Sequence, residues 1–221
     1  MALCVFDLDH TLIQTPLDLA AMAVDMRKLI EEAKGPLPER KDRYRVGELI
    51  AHCHTHAPTL EAAVWEVALD HERRAMEVAA LEPGALAAVA GARRCGFATA
   101  IWTNNARELT VPALARLGLG DELDLVVTRD DMRALKPDPD GWRVISEYFG
   151  KVADGAGDPR DAVVVGDSWV DGVAAAKAGV SFIAYRARQE DLDRWQVTPI
   201  VQLDDLALLP VWLATRHAGR P

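Results

Sequence analysis

The stretch Leu3-Cys4-Val5-Phe6-Asp7-Leu8-Asp9-His10-Thr11 decides the fold of this chain. Its apolar first half has the length and composition of a fully buried strand in a parallel sheet. Ligands of open α/β sheets bind beyond the carboxyl ends of the strands, so we expect Asp7 and Asp9 at that edge. Two carboxylates about 5 Å apart repel by roughly 3 kcal/mol at an effective dielectric constant near 20. The pair therefore needs a cation between its members or a proton on one of them.

The composition is that of an ordinary globular protein. The 221 residues are 50% hydrophobic and 27% charged, with a formal net charge of −9, which suits one medium domain or a core domain with a smaller insert. So acidic a chain lacks the basic surface that nucleic acids require. No secretory signal and no apolar run of about 18 residues is found, so we expect no membrane partner. Cys4, Cys53 and Cys95 lie far apart, which favours free thiols and a cytoplasmic location.

Three further segments contain candidate site residues. Two of them are apolar runs that end in polar residues, and the third is a loop between these two runs. The apolar run 97–102 leads into Thr103, and the run 162–165 leads into Gly166-Asp167-Ser168-Trp169-Val170-Asp171. Lys136 lies between them in the loop Leu135-Lys136-Pro137-Asp138-Pro139. In this order the segments resemble the motifs DxDx[TV], [ST], K and GDxxxD of the haloacid dehalogenase superfamily of phosphotransferases, and in particular its phosphoglycolate phosphatase-like members. The resemblance spans nearly the whole chain, and its first and last motifs are the specific ones.

Alternating strand and helix patterns predict an α/β protein with a doubly wound parallel sheet. Residues 15–81 have helical periodicity and no predicted strand, so we expect a core domain of residues 1–14 and 82–221 and a helical domain of residues 15–81. The resemblance implies that this insertion is a type 1 cap over a Rossmann-like core. Finer expectations are a helix over 60–81, Asn105 as a helix cap, a loop over 150–160, a final helix over 203–215 and a loose tail over 216–221.

The resemblance implies a catalytic role for each motif. Asp7 would be the nucleophile that forms an aspartyl-phosphate, and Asp9 the general acid and base, because the family's phosphatases and phosphomutases carry Asp at this position. Lys136 would neutralise charge on the phosphate and on Asp7. The expected substrate-binding residues are Thr11, Thr103, Asn104 and Lys136, with Thr103 and the backbone around Asn104 contacting the phosphoryl oxygens.

The resemblance also implies a Mg²⁺ site, and oxygen ligands are those that Mg²⁺ prefers. The expected ligands are Asp7, Asp9 through its backbone carbonyl, Asp167 and Asp171. For Asp171 several roles stay open: direct ligation, ligation through water, holding Lys136, or an acid at the start of a helix. His52 and His56 share a helix face, but a metal site there is disfavoured because imidazole suits Mg²⁺ less well. The basic residues 40–45 are either solvated surface or contacts to the substrate's non-phosphate end.

The sequence thus predicts a Mg²⁺-dependent phosphatase that hydrolyses a small phosphorylated metabolite, as a monomer or a homodimer. A phosphomutase shares the same motifs and is the nearest alternative. A non-catalytic phosphate-binding member is a third possibility. A receiver domain is disfavoured by the length and the helical insertion, and a dinucleotide-binding fold by the lack of a G-x-G-x-x-G after the first strand.

Overall fold

The structure, a computed structural model, describes residues 2–152 and 161–218. The chain divides into two compact units. The core unit contains the described residues up to Thr15 and from Ala79 onward, and the helical unit contains Pro16–Val78.

The core unit is built on parallel strands. Its strands are β1 (Ala2–Phe6), β2 (Ile13–Gln14), β3 (Ala80–Leu81), β4 (Phe97–Trp102), β5 (Leu125–Val127), β6 (Ala162–Gly166), β7 (Ser181–Tyr185) and β8 (Val201–Leu203). Six of them form one sheet in the order β5-β4-β1-β6-β7-β8, and every pairing in it is parallel. The predicted α/β class with a doubly wound parallel sheet is confirmed. Strand β1 lies between β4 and β6, which brings the carboxyl ends of these three strands side by side.

Helices connect the strands of the core unit. They are α4 (Ala85–Arg94), α5 (Arg107–Arg116), α6 (Asp140–Val152), α7 (Trp169–Ala178), α8 (Gln189–Arg194) and α9 (Leu209–Ala218). All five residues of β1 are buried, as a central parallel strand requires. One side of the core packs Val5, Trp102 and Val164 against Ile145 and Phe149 of α6. This packing holds the strands near their carboxyl ends, which the motif residues follow.

The helical unit has its own apolar core. It contains α1 (Leu19–Lys34), α2 (Val46–His56) and α3 (Glu61–Glu77). Asp18 caps α1 by accepting hydrogen bonds from the backbone N–H groups of Ala20 and Ala21. Helical spacing brings together the buried side chains of Met22, Met26, Ile30, Leu49, Cys53, Val64 and Ala68.

Several predicted boundaries are wrong. The helix predicted over 60–81 ends at Glu77, and Ala80–Leu81 is a strand that pairs antiparallel with Ile13–Gln14. Two-residue strands have too few residues for a periodicity to indicate them. The final helix, predicted to start at residue 203, begins instead at Leu209, because 201–203 form β8, the sixth strand of the main sheet.

Two other expectations concern residues near the gaps in the description. Helix α6 extends to Val152, so residues 150–152 of the predicted loop are helical instead. The other residues of that prediction, 153–160, lie outside the described residues. Helix α9 extends to Ala218 where a loose tail was predicted from 216, and residues 219–221 lie outside the description. Among the helices that are described, none combines the length and apolar character needed to cross a bilayer.

Candidate active site

Asp7 is the first residue after β1, and the sheet itself holds its backbone. Its N–H donates a hydrogen bond of 2.8 Å to the carbonyl of Val165 in β6, which continues the parallel ladder by one residue. The residue is only 9% exposed. Its carboxylate is therefore fixed at the carboxyl end of the central strand.

Lys136 reaches this carboxylate from the loop after β5. Its Nζ donates to Asp7 Oδ1 at 2.6 Å, to Asp171 Oδ1 at 2.6 Å and to the carbonyl of Trp102 at 2.7 Å. All three donors of the ammonium group thus have partners. Burial opposes the charged amine, but the carboxylates of Asp171 and Asp7 outweigh it and hold the pKa of Lys136 above its ordinary value. Lys136 is accordingly a fixed positive charge beside Asp7.

Asp171 occupies the third position of α7 and serves two elements. Its Oδ2 accepts from the hydroxyl of Ser168 at 2.8 Å and from the Ser168 N–H at 3.2 Å, which forms a capping box. Its Oδ1 accepts from Lys136. Two of the open roles of Asp171, a helix acid and a partner of Lys136, are therefore both present.

Gly166 permits this approach of Asp171. A Cβ atom at residue 166 would lie 2.6 Å from the Cβ, Cγ and Oδ2 atoms of Asp171. The glycine of the fourth motif is thus required for space at the end of β6, where the helix acid packs against the strand.

Asp167 completes a group of three carboxylates. One oxygen each from Asp7, Asp167 and Asp171 lie within 4.8 Å of one another. Burial and the charge of Asp171 raise the pKa of Asp7 to about 7. Burial and the charge of Asp7 raise the pKa of Asp167 to about 8. The group holds more negative charge than Lys136 balances.

This donor set fits a divalent cation. Three buried or half-buried carboxylates against one ammonium leave a deficit of positive charge, and a hard cation with oxygen ligands is what removes it. Among the described residues, no other residue donates a hydrogen bond to the Asp167 carboxylate, which is bonded only by its own backbone N–H. Both oxygens of Asp171, in contrast, accept hydrogen bonds from other residues. The sequence prediction of these three residues as ligands stays a prediction.

The Asp9 carboxylate is held by two side chains. Its Oδ1 accepts from the hydroxyl of Thr15 at 2.8 Å, and its Oδ2 accepts from the side-chain amide of Asn105 at 2.5 Å. Asn105 was predicted to cap α5, and that prediction is wrong: the residue before the helix is Ala106, and Asn105 holds Asp9. Asp9 therefore has a fixed orientation, and its predicted role as general acid and base stays a prediction.

Two of the residues predicted to bind phosphate, Thr103 and Asn104, directly follow β4. Thr103 is 1% exposed, its N–H donates to the carbonyl of Val127, and its Oγ1 accepts from the Asn105 N–H at 3.2 Å. The side chain of Asn104 forms a reciprocal pair with the Lys136 backbone, accepting from its N–H at 2.9 Å and donating to its carbonyl at 3.1 Å. Asn104 thus positions the lysine loop, a role that the sequence did not indicate.

Thr11 is fully buried, and its hydroxyl has no hydrogen-bond partner among the described residues. Its predicted contact with substrate, like that of Thr103, stays a prediction.

A cleft of about 310 Å³ in the core unit adjoins these residues. It is lined by His10, Gln14, Thr15, Glu82, Asp167 and Arg186. Asp167 belongs to the carboxylate group and Thr15 holds Asp9. The cleft therefore opens beside both the candidate metal ligands and the candidate acid.

In the helical unit, the histidines considered for a metal site and the basic residues considered for substrate contact have neighbouring side chains as partners. The rings of His52 and His56 lie 4.9 Å apart in a tilted arrangement. Arg40 donates to both carboxylate oxygens of Glu48 and lies 3.8 Å from the ring centroid of Tyr44. These contacts account for part of the basic segment 40–45 as a local network.

Sequence reasoning missed the residues that support the site rather than form it. Asn105 and Thr15 hold Asp9, and Ser168 holds Asp171. Ser168, three residues before Asp171, has the spacing of a capping box and could have been found. Asn105 lies far from Asp9 in sequence and contacts it only in the folded chain, and no capping or helical spacing indicates the contact of Thr15 with Asp9.

Comparisons with known proteins identify the family of this chain and support its fold. A family model for haloacid dehalogenase-like hydrolases matches residues 1–179. The chain is 30% identical over 226 residues to a phosphoglycolate phosphatase of Pseudomonas putida, covering 94% of this chain and 78% of that protein. It is 39% identical over 98 residues to a plasmid phosphoglycolate phosphatase of Cupriavidus necator, a match that covers 44% of this chain and 40% of that protein. The crystal structure of a hydrolase from Pseudomonas syringae superposes with a TM-score of 0.70 at 20% identity, covering 96% of this chain and 98% of that one.

The structure combines a parallel α/β core with a group of carboxylates at one edge of the sheet. The family model and the Pseudomonas putida relative show that the chain belongs to the haloacid dehalogenase-like hydrolase family. The family predicted from the four motifs is confirmed, and so is the enzyme class, a phosphatase.

Proposed function

We propose that this protein hydrolyses a small phosphomonoester with the help of Mg²⁺, through an aspartyl-phosphate on Asp7. The observation that carries the proposal is the contact of Lys136 with Asp7 inside a group of three carboxylates. A nucleophilic carboxylate that is buried, oriented by the sheet and balanced by nearby positive charge matches what covalent phosphoryl transfer needs.

In the first step, an Asp7 carboxylate oxygen attacks phosphorus, and the bond from phosphorus to the ester oxygen breaks. The departing oxygen takes a proton from Asp9. Thr103 and the backbone N–H at Asn104 would hold the phosphoryl oxygens. The ammonium group of Lys136, which donates to Asp7, would neutralise negative charge on the phosphoryl group as it approaches. Positioning and charge neutralisation supply most of the catalysis.

In the second step, water attacks the phosphorus of the aspartyl-phosphate and gives a proton to Asp9. The bond from phosphorus to the Asp7 oxygen breaks, which releases inorganic phosphate and restores the carboxylate. Asp9 thus alternates between acid and base, and the hydrogen bonds from Thr15 and Asn105 keep it in place for both steps.

Asp7 and Asp167 would hold the Mg²⁺ ion, together with the Asp9 carbonyl, while Asp171 would act mainly through Lys136. When bound, the cation would neutralise the charge that accumulates as the phosphate dianion approaches the carboxylates. Without it, the raised pKa of Asp167 reflects an uncompensated carboxylate.

The proposal includes three less specific points. The substrate is a small phosphorylated metabolite, of which phosphoglycolate is the first to test because it is named for the relatives. The helical unit acts as a cap domain that selects the substrate. The enzyme works in the cytoplasm, which its free cysteines support.

The test is release of inorganic phosphate from p-nitrophenyl phosphate and phosphoglycolate, after treatment with EDTA and after Mg²⁺ is returned. We expect no activity with EDTA and recovery with Mg²⁺. Asp167→Asn should lose most activity, whereas Asp121→Asn, at an exposed site, should keep it. Activity that persists in EDTA would contradict the metal requirement. Conversion of β-glucose 1-phosphate to the 6-phosphate would instead indicate a phosphomutase, and phosphate binding without turnover a non-catalytic member.

A further inference from the structure

We propose, on the basis of the proposed phosphatase function, that Arg186 binds a carboxylate on the non-phosphate end of the substrate. Arg186 is the residue that follows β7, at the same edge of the sheet as Asp7 and Asp167. It lines the cleft that contains Asp167 and Thr15. No role was assigned to it by the sequence motifs.

The guanidinium group of Arg186 is oriented by its surroundings. Its Nη1 donates to the buried carboxylate of Glu82 at 2.7 Å, and its Nε donates to the carbonyl of Asp204 at 2.8 Å. The hydroxyl of Tyr185 donates to the same oxygen of Glu82 at 2.6 Å, which fixes that carboxylate. Two anchored nitrogens leave little freedom to the third, so the group is organised before a ligand arrives.

The third nitrogen remains available to a ligand. Within the described residues, Nη2 of Arg186 has no hydrogen-bond partner, and the side chain is 51% exposed. A planar guanidinium with an open edge is the group that proteins use to bind carboxylates.

The backbone of Arg186 supports a role for its side chain. Its φ is 45°, in the left-handed region that side chains disfavour and glycine adopts freely. Glycine would satisfy the backbone here, but it would leave Glu82 without a cation and the cleft without a guanidinium.

The location relates this group to the chemistry. The leaving group must lie beside Asp9, and Thr15, which holds Asp9, lines the same cleft. A leaving group that fills the cleft would carry its far end toward Arg186. Glu82 and Asp167 already make the cleft acidic, so a singly charged carboxylate fits better than a second phosphate.

The experiment measures inhibition of p-nitrophenyl phosphate hydrolysis by two compounds. One is phosphoglycolate, and the other is phosphoglycolamide, in which an uncharged amide replaces the carboxylate and the phosphate is kept. In the wild-type enzyme we expect phosphoglycolate to have the lower inhibition constant. The double variant Glu82→Gln with Arg186→Gly removes both charges together, suits the left-handed backbone and leaves Tyr185 an acceptor. It should reduce the ratio of the two constants at least tenfold.

Arg188→Met is the matched control, because Arg188 is 84% exposed and pairs with Asp191. It should keep the wild-type ratio. A purely structural role of Arg186 would weaken both inhibitors alike, so an unchanged ratio in the double variant would overturn the inference. Equal inhibition of the wild-type enzyme by both compounds would also overturn it. If the double variant shows no thermal unfolding transition, Arg186→Lys replaces it, with a fall in the ratio again expected. Failure of the wild type to hydrolyse p-nitrophenyl phosphate would refute the proposed function instead.

Discussion

Lys136 donates a hydrogen bond of 2.6 Å to Asp7 although the two residues are 129 positions apart in the chain. The lysine comes from the loop after the sheet's edge strand, and the aspartate from the end of its central strand. Since both are buried, their opposite charges interact in a medium less polar than water. The pair thus joins the first and third sequence motifs into one chemical group.

Replacing Lys136 by Met should reduce kcat at least a hundredfold, because a positive charge directed at the reacting group is lost. It should also lower the free energy of unfolding by about 3–5 kcal/mol, since Asp7 and Asp171 would be buried without their partner. Phosphate release and urea unfolding measure the two effects. Lys177→Met, at an exposed position of α7, is the control and should leave both nearly unchanged. An active Lys136→Met enzyme would refute the role of this contact.

Replacing Gly166 by Ala should reduce both activity and stability, because the added Cβ would overlap the Asp171 side chain. Displacing Asp171 would disturb Lys136 and, through it, Asp7. Gly47→Ala is the matched control. An added Cβ has no atom within 4 Å there. Gly47 is the second residue of α2, where alanine is favoured over glycine by at most the roughly 1 kcal/mol that applies in a helix interior. Thermal melting should therefore move in opposite directions for the two variants, and a neutral Gly166→Ala would contradict the close packing.

The metal-free protein should become less stable as the pH rises from about 4 to about 8. The pKa values of Asp7 and Asp167 are raised to about 7 and about 8, so the folded state binds more protons than the unfolded chain throughout this range. Binding more protons when folded makes the free energy of unfolding fall with rising pH. Melting temperatures in EDTA across the range measure the effect, and Asp167→Asn should reduce it. Melting that rises steadily with pH would be inconsistent with these shifts.

Asp9→Asn should slow the first half-reaction most for substrates with poor leaving groups. An alkoxide needs a proton as it departs, whereas p-nitrophenolate does not, and general acid catalysis contributes about 10²–10⁴-fold. The values of kcat/KM for alkyl phosphates should fall accordingly, and that for p-nitrophenyl phosphate much less. A uniform loss across the leaving-group series would argue against Asp9 as the acid. Asn105→Ala, which removes one of the two groups that hold Asp9, should show the same trend more weakly.

The sequence predicted the longer strands of the main sheet and the helices of the insertion. Strand β1 and the strands that end at Trp102 and Gly166 are continuous apolar runs, and the helices of the insertion have helical spacing of their apolar residues. The short strands β2, β3 and β8 have only two or three residues each, too few for a pattern to emerge.

The residues of the candidate site that belong to a sequence motif could be predicted. The residues that reach the site only through the folding of the chain could not. Asp7, Lys136 and Asp167 follow from the order of the motifs. The hold of Asn105 on Asp9 was missed because a polar residue before a helix is normally taken for a cap. The left-handed Arg186 was missed because nothing local distinguishes it from other surface arginines.

The central claim is that Asp7 receives the phosphoryl group, and mass spectrometry of the enzyme after rapid acid quench during turnover tests it most directly. With p-nitrophenyl phosphate as substrate, we predict a peptide that carries one added phosphoryl group on Asp7 and that is absent from Asp7→Asn. The peptide should be more abundant in Asp9→Asn, because this leaving group needs no proton and only hydrolysis of the intermediate is slowed. An active enzyme with the phosphoryl group on another residue, or an Asp7→Asn variant with near wild-type turnover, would contradict the account.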